Sequence, residues 1–333
     1  MSPKSYPAVS VLMPVLNEEA HLLAAVNSVL SQGYPGAFEL LLALGPSRDA
    51  TNELAVKIAK ADKRVRLLDN PRGLTTVGLN EAIRLAKHEY IIRVDAHSEP
   101  DENYMTRGIE ILLETGADLL GGIMAAKGKS SFQKAVAWAY TSRFGVGGAA
   151  YHVGGAAGEA ESAYLGIFKK SALARVGGYN EEIIRGEDWD LAQRIKQTGG
   201  LVWFSPELQV TYWPRGRFNR LVKQFYSTGV WRGELTRRNF ANASKRYFAP
   251  PLALAAILVG LIVLCTGHVL GLLPAALYLL GVAGLAITAP QLSLKARIGV
   301  LVALPTMHLS WGYGFWVGLI RGANMRTVDR SRV

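Results

Sequence analysis

From about Tyr247 to Ile320 the sequence is mostly apolar, while the preceding 245 or so residues read as an ordinary water-soluble α/β protein. That division constrains the fold most. A membrane span needs roughly 20 predominantly apolar residues, and the last quarter holds three candidate segments, about 249–266, 270–289 and 298–320. The first two carry no charged residue and read as a hairpin. The link 267–269 lacks Lys and Arg, which suits the outer side, while Lys295 and Arg297 suit the inner side. The third segment contains Pro305 and His308 and is followed by Arg321, Arg326, Arg330 and Arg332. Three spans would place that basic tail outside. Either the third segment is re-entrant or interfacial, or the charge rule is broken here.

The formal net charge is +11, and cations concentrate between Tyr212 and Tyr247: Arg215, Arg217, Arg220, Lys223, Arg232, Arg237, Arg238, Lys245 and Arg246, against Glu234. Because this run abuts apolar sequence, a membrane surface is the expected partner and nucleic acid is not. Residues 218–225 place Phe218, Leu221, Val222 and Phe225 on one helical face, as expected of a helix lying on a bilayer. A surface helix packed on its own domain is the alternative. The single cysteine, Cys265, excludes an internal disulfide and a cysteine metal cage. Residues 1–6 form no apolar leader, so the catalytic part is expected in the cytoplasm at the inner (plasma) membrane.

Upstream, short apolar runs alternate with helical patterns. Strands are expected at 8–15, 38–44, 65–69 and 90–94, and helices at 18–32, from Asp49 to 61, 74–87 and 102–115. This alternation indicates an α/β chain with a mostly parallel sheet and helices on both faces. A further strand is expected at 118–124 and a helix at 131–143. The stretch 145–158, with six glycines, reads as a loop. A strand at 163–168 and helices at 170–176 and 188–197 complete the pattern. The organisation expected is a catalytic domain at 1–211, a basic amphipathic segment at 212–247, two or three membrane or re-entrant helices at 248–320 and a basic tail at 321–333.

Ligands of such sheets bind beyond the carboxyl ends of the strands. Those ends carry Pro14, Val15, Asn17 and Glu18, then Gly45 to Asp49, then Asp95 to His97. Asp95 and His97 stand two apart, so in an extended segment both side chains point the same way. A carboxylate and an imidazole can share a divalent ion that bridges a diphosphate. The alternative is a strand end closed by a turn, with Asp95 bonded to backbone. Glu187, Asp188 and Asp190 open a helix. Acids there are often only caps, but three in four residues exceed what a cap needs, and one could take a proton from a hydroxyl. Gln193 and Arg194 follow within reach of the same cleft.

These pieces, in this order, resemble the inverting family 2 glycosyltransferases of GT-A fold, and among them succinoglycan-type bacterial polysaccharide glycosyltransferases. The resemblance covers roughly residues 8–240. It is carried by Val9 to Glu18, by Asn80-Glu81-Ala82-Ile83, by Asp95-Ala96-His97, by Phe168 to Leu173 with Val176 to Glu181, and by Glu187 to Leu191. It implies a nucleotide-sugar donor (UDP- expected, GDP- or dTDP- as alternatives) and a lipid-linked acceptor. Pro14, Val15, Asn17, Glu18, Asp49, Asp69 and Asp95 would line the donor site. Asp95 and His97 would hold Mg²⁺ or Mn²⁺, with His97 in the second acidic position of the family's Asp-x-Asp motif. Asp188 would be the base, with Glu187 beside it, and Trp189, Gln193 and Arg194 would meet the acceptor or a phosphate. Gln193-Arg194 lacks the Trp that follows in processive members, which implies one sugar per encounter. The usual Asp-Asp-Gly-Ser after the second strand is replaced by Leu44-Gly45-Pro46-Ser47-Arg48-Asp49, leaving Asp49 from that acidic set and either Asp69 or the backbone for the base.

Overall fold

A computed structural model describes residues 6–240, 243–289 and 291–323. Residues 324–333, most of the expected basic tail, lie outside the described residues. The chain forms two bodies. One comprises the described residues up to Ala125 together with Ala150–Tyr212, and the other Ala126–Ala149 and Trp213 onward. The expected catalytic span of 1–211 therefore loses 126–149 to the second body.

Among the described residues the first body is built on a nine-stranded sheet in the order Val65–Asp69, Phe38–Leu44, Val9–Val15, Tyr90–Arg93, Ile167–Lys169, Leu119–Ala126, Val202–Tyr212, Ser98–Pro100, with Gly158–Glu159 paired to Val202–Tyr212. β1 (Val9–Val15), β2 (Phe38–Leu44), β3 (Val65–Asp69) and β4 (Tyr90–Arg93) run parallel, linked by α1 (Leu22–Leu30), α2 (Thr51–Ala61) and α3 (Thr75–Leu85). β1 is buried on both faces. Val9, Val11, Met13 and Val15 pack with Leu22, Val26 and Val29 of α1, while Leu12 packs on the opposite face with Leu79 and Ala82 of α3. A strand covered on both sides needs continuous apolar sequence, and its one polar residue here, Ser10, donates to buried Glu39 at 2.8 Å. Removing such a side chain, as in Leu12→Ala, costs about 2–5 kcal/mol.

Beyond β4 the sheet turns mixed. β5 (Ser98–Pro100), α4 (Tyr104–Thr115), β6 (Leu119–Ala126), α5 (Ser131–Thr141), α6 (Ala150–Val153) and β7 (Gly158–Glu159) come next. β8 (Ile167–Lys169), α7 (Lys170–Arg175), α8 (Glu187–Gln197) and β9 (Val202–Tyr212) complete this part. β8 is antiparallel to β4 and β6, and β9 is antiparallel to β5 and β7. The strand expected at 163–168 starts later because Leu165 and Gly166 take positive φ (60° and 100°), which breaks extended pairing. α6 lies within the stretch expected to be a loop.

In the second body α9 (Phe218–Arg238) runs well past 225 and turns its apolar face inward. Leu221, Phe225, Val230 and Trp231 are buried, Phe225 edge-on to Tyr140 of α5, whereas Phe218 is exposed. The expected bilayer face is thus largely occupied by protein. Its main partner is α12 (Leu294–Arg321), a single helix through Pro305, so the third apolar segment does not break into a re-entrant loop. The two helices cross on small residues. A Cβ on Gly229, Gly233, Gly314 or Gly318 would run into the facing backbone of Trp311, Phe315, Tyr226 or Val230. α10 (Ala249–Cys265) and α11 (Leu273–Ile287) are different. With the short helical turns before them, they form two helices long and apolar enough to cross a membrane, each mostly unburied, with Ile262 and Leu280 65% and 68% exposed.

Candidate active site

The site lies where the parallel strands end. The β1–α1 and β2–α2 loops are bound to each other. Asn17 takes the left-handed conformation (φ 53°), and its Oδ1 accepts from Arg48 N at 2.7 Å while its own N–H donates to Ser47 Oγ at 3.0 Å. Glu18 N donates to Thr51 Oγ1 at 2.8 Å. Asp49 accepts from Thr51 Oγ1 at 2.5 Å, Thr51 N at 3.1 Å and Glu19 N at 3.3 Å. Burial opposes ionisation of Asp49, but these bonds prevail and hold its carboxyl below the usual range. Its carboxylate therefore ties the two loops together, a structural task the sequence did not reveal. Pro14 and Val15 sit opposite Ala43 and Leu44, at the mouth of the same edge. Asp69 ends β3 beside Leu44 and is exposed.

Asp95 and His97 do not lie in an extended segment. Ser98 N donates to Asp95 O at 2.9 Å, so the chain turns tightly between β4 and β5. The period-two argument therefore fails here. What brings His97 into the site is Glu18: Nδ1 lies 3.0 Å from the buried Oε1. A carboxylate on one ring nitrogen is the pattern that orients an imidazole to bind a metal through the other. Among the described residues no group of three or more His, Cys, Asp or Glu converges as a cage. Mg²⁺ and Mn²⁺ carried with a diphosphate need only one or two protein ligands. Asp95 and a Glu18-oriented His97 fit that requirement.

The centre of the cluster is Arg93, the last residue of β4, which the sequence pattern does not single out. Its side chain is only 4% exposed. Nε lies 3.1 Å from Asp95 Oδ1, Nη1 2.5 Å from Asp188 Oδ1 and Nη2 3.3 Å from Glu187 Oε1. Asp188 and Glu187 are delivered by the first turn of α8, which starts after Gly186 in the left-handed conformation (φ 82°) that glycine adopts without strain. Burial raises the Asp188 carboxyl above the ordinary carboxylate range. Arg93 opposes that rise, and Glu187 and Asp95 add to it. A carboxyl so placed is suited to accept a proton near neutral pH.

The remaining residues of α8 hold structure. Asp190 accepts from Arg194 Nε at 2.8 Å, and Arg194 Nη1 donates to the carbonyls of Val176 and Gly178 at 2.8 and 2.7 Å. Gln193 Nε2 donates to Glu161 O at 2.8 Å, and buried Trp189 donates through Nε1 to Glu161 Oε1 at 3.0 Å. These internal hydrogen bonds set the places of Gln193, Arg194 and Trp189, the residues expected to meet the acceptor or a phosphate. Asn80 has a comparable task. Its amide exchanges two bonds with the backbone of Tyr179, at 2.8 and 2.9 Å.

The model of the family described as Glycosyl transferase family 2 matches residues 10–177. The succinoglycan biosynthesis protein ExoA of Rhizobium meliloti is 31% identical over 314 residues, spanning 93% of this chain and 94% of that one. The dolichyl N-acetyl-alpha-D-glucosaminyl phosphate 3-beta-D-2,3-diacetamido-2,3-dideoxy-beta-D-glucuronosyltransferase of Methanococcus voltae is 21% identical over 331 residues, spanning 94% of this chain and 98% of its own. Among solved structures, the mannosyltransferase PcManGT of Pyrobaculum calidifontis, in complex with GDP-Man and Mn²⁺, shares the fold with a TM-score of 0.65 at 18% identity, over 96% of this chain and 91% of its own. With a mostly parallel sheet, acidic residues at its carboxyl edge, and sequence likeness along nearly the whole length, the chain belongs to glycosyl transferase family 2 and has the GT-A fold.

Proposed function

We propose that this glycosyltransferase moves a sugar, with inversion, from a nucleotide-sugar to the hydroxyl of a lipid-linked glycan on a polyprenyl diphosphate, in envelope or exopolysaccharide synthesis. The observation that carries the reading is the meeting of Asp188 and Glu187 with Asp95 around one buried arginine. The donor would lie along Pro14 to Glu18, with Asp69 and the Gly45–Asp49 backbone toward its base. UDP is the first nucleotide to test, ahead of GDP and dTDP. Asp95 and His97 would hold Mg²⁺ or Mn²⁺ against the donor diphosphate, where the ion supplies positive charge for the leaving group.

Asp188 takes the proton of the acceptor hydroxyl. The acceptor oxygen forms its bond to the anomeric carbon as the bond to the diphosphate breaks. The electron pair leaves with the nucleoside diphosphate, and the configuration inverts. α10 and α11, with the cations of 212–247, would hold the enzyme at the cytoplasmic face of the inner membrane. Support for the acceptor class comes from the Methanococcus relative, whose name describes a sugar on dolichyl phosphate, and support for polysaccharide synthesis from ExoA.

The test is turnover of UDP-, GDP- and dTDP-sugars in detergent with a bacterial lipid extract, with and without Mn²⁺ or Mg²⁺. Sugar in the lipid fraction together with a released nucleoside diphosphate is the expected result. Transfer to bare polyprenyl phosphate would replace the acceptor assigned here. Absence of both turnover and nucleotide binding would identify a non-catalytic membrane scaffold or transport component.

A further inference from the structure

We infer that Arg93 is a positioning residue, whose guanidinium sets the catalytic carboxylate of Asp188 relative to the donor-binding turn at Asp95. This rests on the role proposed for Asp188 as base. Asp95 follows β4, whereas Glu187 and Asp188 open α8, almost a hundred positions later in the sequence. One guanidinium spans the two elements with a separate nitrogen for each carboxylate: Nε for Asp95, Nη1 for Asp188 and Nη2 for Glu187. A planar fork can do this, while the ammonium of lysine is a single point.

Charge reinforces the geometry. Three carboxylates gathered around one guanidinium repel one another, and a single buried cation lowers that repulsion without cancelling it. The remaining negative charge suits a divalent ion arriving with donor. Arg93 does not read as a phosphate ligand, because all three of its nitrogens are directed at carboxylates and its side chain is almost wholly buried.

The arginine is itself braced. Tyr179 lies under the guanidinium, 5.7 Å from ring centroid to Cζ, and the Asn80 amide grips the Tyr179 backbone on both its N–H and its carbonyl. The β4 backbone is pinned by Arg93 N donating to Gly166 O at 3.0 Å. The base is thus held through a chain from α3 through Tyr179 to Arg93.

The test compares Arg93→Lys and Arg93→Gly with the parent enzyme, each measured for kcat, KM for donor and melting temperature, with added methylguanidinium as a probe. A misplaced reacting group costs about 100-fold in rate. Arg93→Lys is expected to lose kcat on that scale while KM for donor stays near the parent value. Methylguanidinium is expected to restore kcat to Arg93→Gly and to leave the parent unchanged. Parent-like kcat in Arg93→Lys overturns the inference, as does a properly melting Arg93→Gly that methylguanidinium does not restore. If Arg93→Gly fails to fold, Arg93→Lys decides alone. Asp188→Asn is run alongside: full activity there defeats the base assignment, whereas loss there with parent-like Arg93→Lys defeats only the positioning role.

Discussion

His97 Nδ1 lies 3.0 Å from Glu18 Oε1, joining the loop after the first strand to the turn after the fourth. Neither residue is a neighbour of the other in sequence, and both side chains are nearly buried. If the pair aims the imidazole at a donor-borne metal, Glu18→Gln should weaken metal activation by about 10-fold or more, the usual effect of removing such a partner. The measurement is the Mn²⁺ concentration giving half-maximal turnover. An unchanged value would remove His97 from the set of metal ligands.

Asp188 should set the acid side of the pH–rate profile. Burial, Glu187 and Asp95 together raise its carboxyl despite Arg93. A base works only when deprotonated, so kcat should fall as pH drops through this raised pKa. The fall should come at higher pH than an ordinary carboxylate, near 4, would give. Asp188→Asn should lower kcat by roughly 10²–10⁴-fold and still bind donor, as measured by calorimetry. An unaltered acid limb in that variant would assign the limb to another group.

The parallel half of the sheet was legible because β1 to β4 are short, apolar runs separated by helical periodicity, and burial on both faces demands such runs. β9 was missed. Val202, Phe204, Leu208, Val210 and Tyr212 alternate there with Ser205, Glu207, Gln209 and Thr211, but Pro206 near the middle reads as a strand breaker and masks the run. The carboxylates of the site were legible from their places at strand and helix ends. Arg93 was not, since a lone arginine in a strand carries no pattern until the fold brings Glu187 and Asp188 to it. Gln193 and Arg194 show the converse. Their side chains donate to carbonyls of Glu161, Val176 and Gly178, contacts that sequence spacing does not disclose.

The crossing of α9 and α12 should be sensitive to single carbon atoms. A Cβ at Gly318 would collide with the carbonyl of Val230, and backbone cannot swing aside as a flexible side chain can. Overpacking of this kind costs about 1–3 kcal/mol. Gly318→Ala should lower the melting temperature, whereas Gly281→Ala, with open space around the added carbon, should not. Equal melting of the two variants would mean that the helices separate easily at this point.

Ile262 of α10 and Leu280 of α11 offer the test of the membrane assignment, because both are large, apolar and more than half exposed. In water such surfaces invite aggregation. In lipid they are the favourable face, and an arginine costs about 2.5–3.5 kcal/mol of insertion at the centre of a span, where Leu280 lies, and less at Ile262, close to the end of α10. Ile262→Arg together with Leu280→Arg should therefore move protein from the alkali-resistant membrane fraction to the extractable one. The catalytic body does not include either residue, so turnover of donor with a soluble acceptor fragment should survive. Parent-like retention in the membrane would show that these two helices are not what holds the enzyme there, and would shift the anchoring role to the basic segment at 212–247.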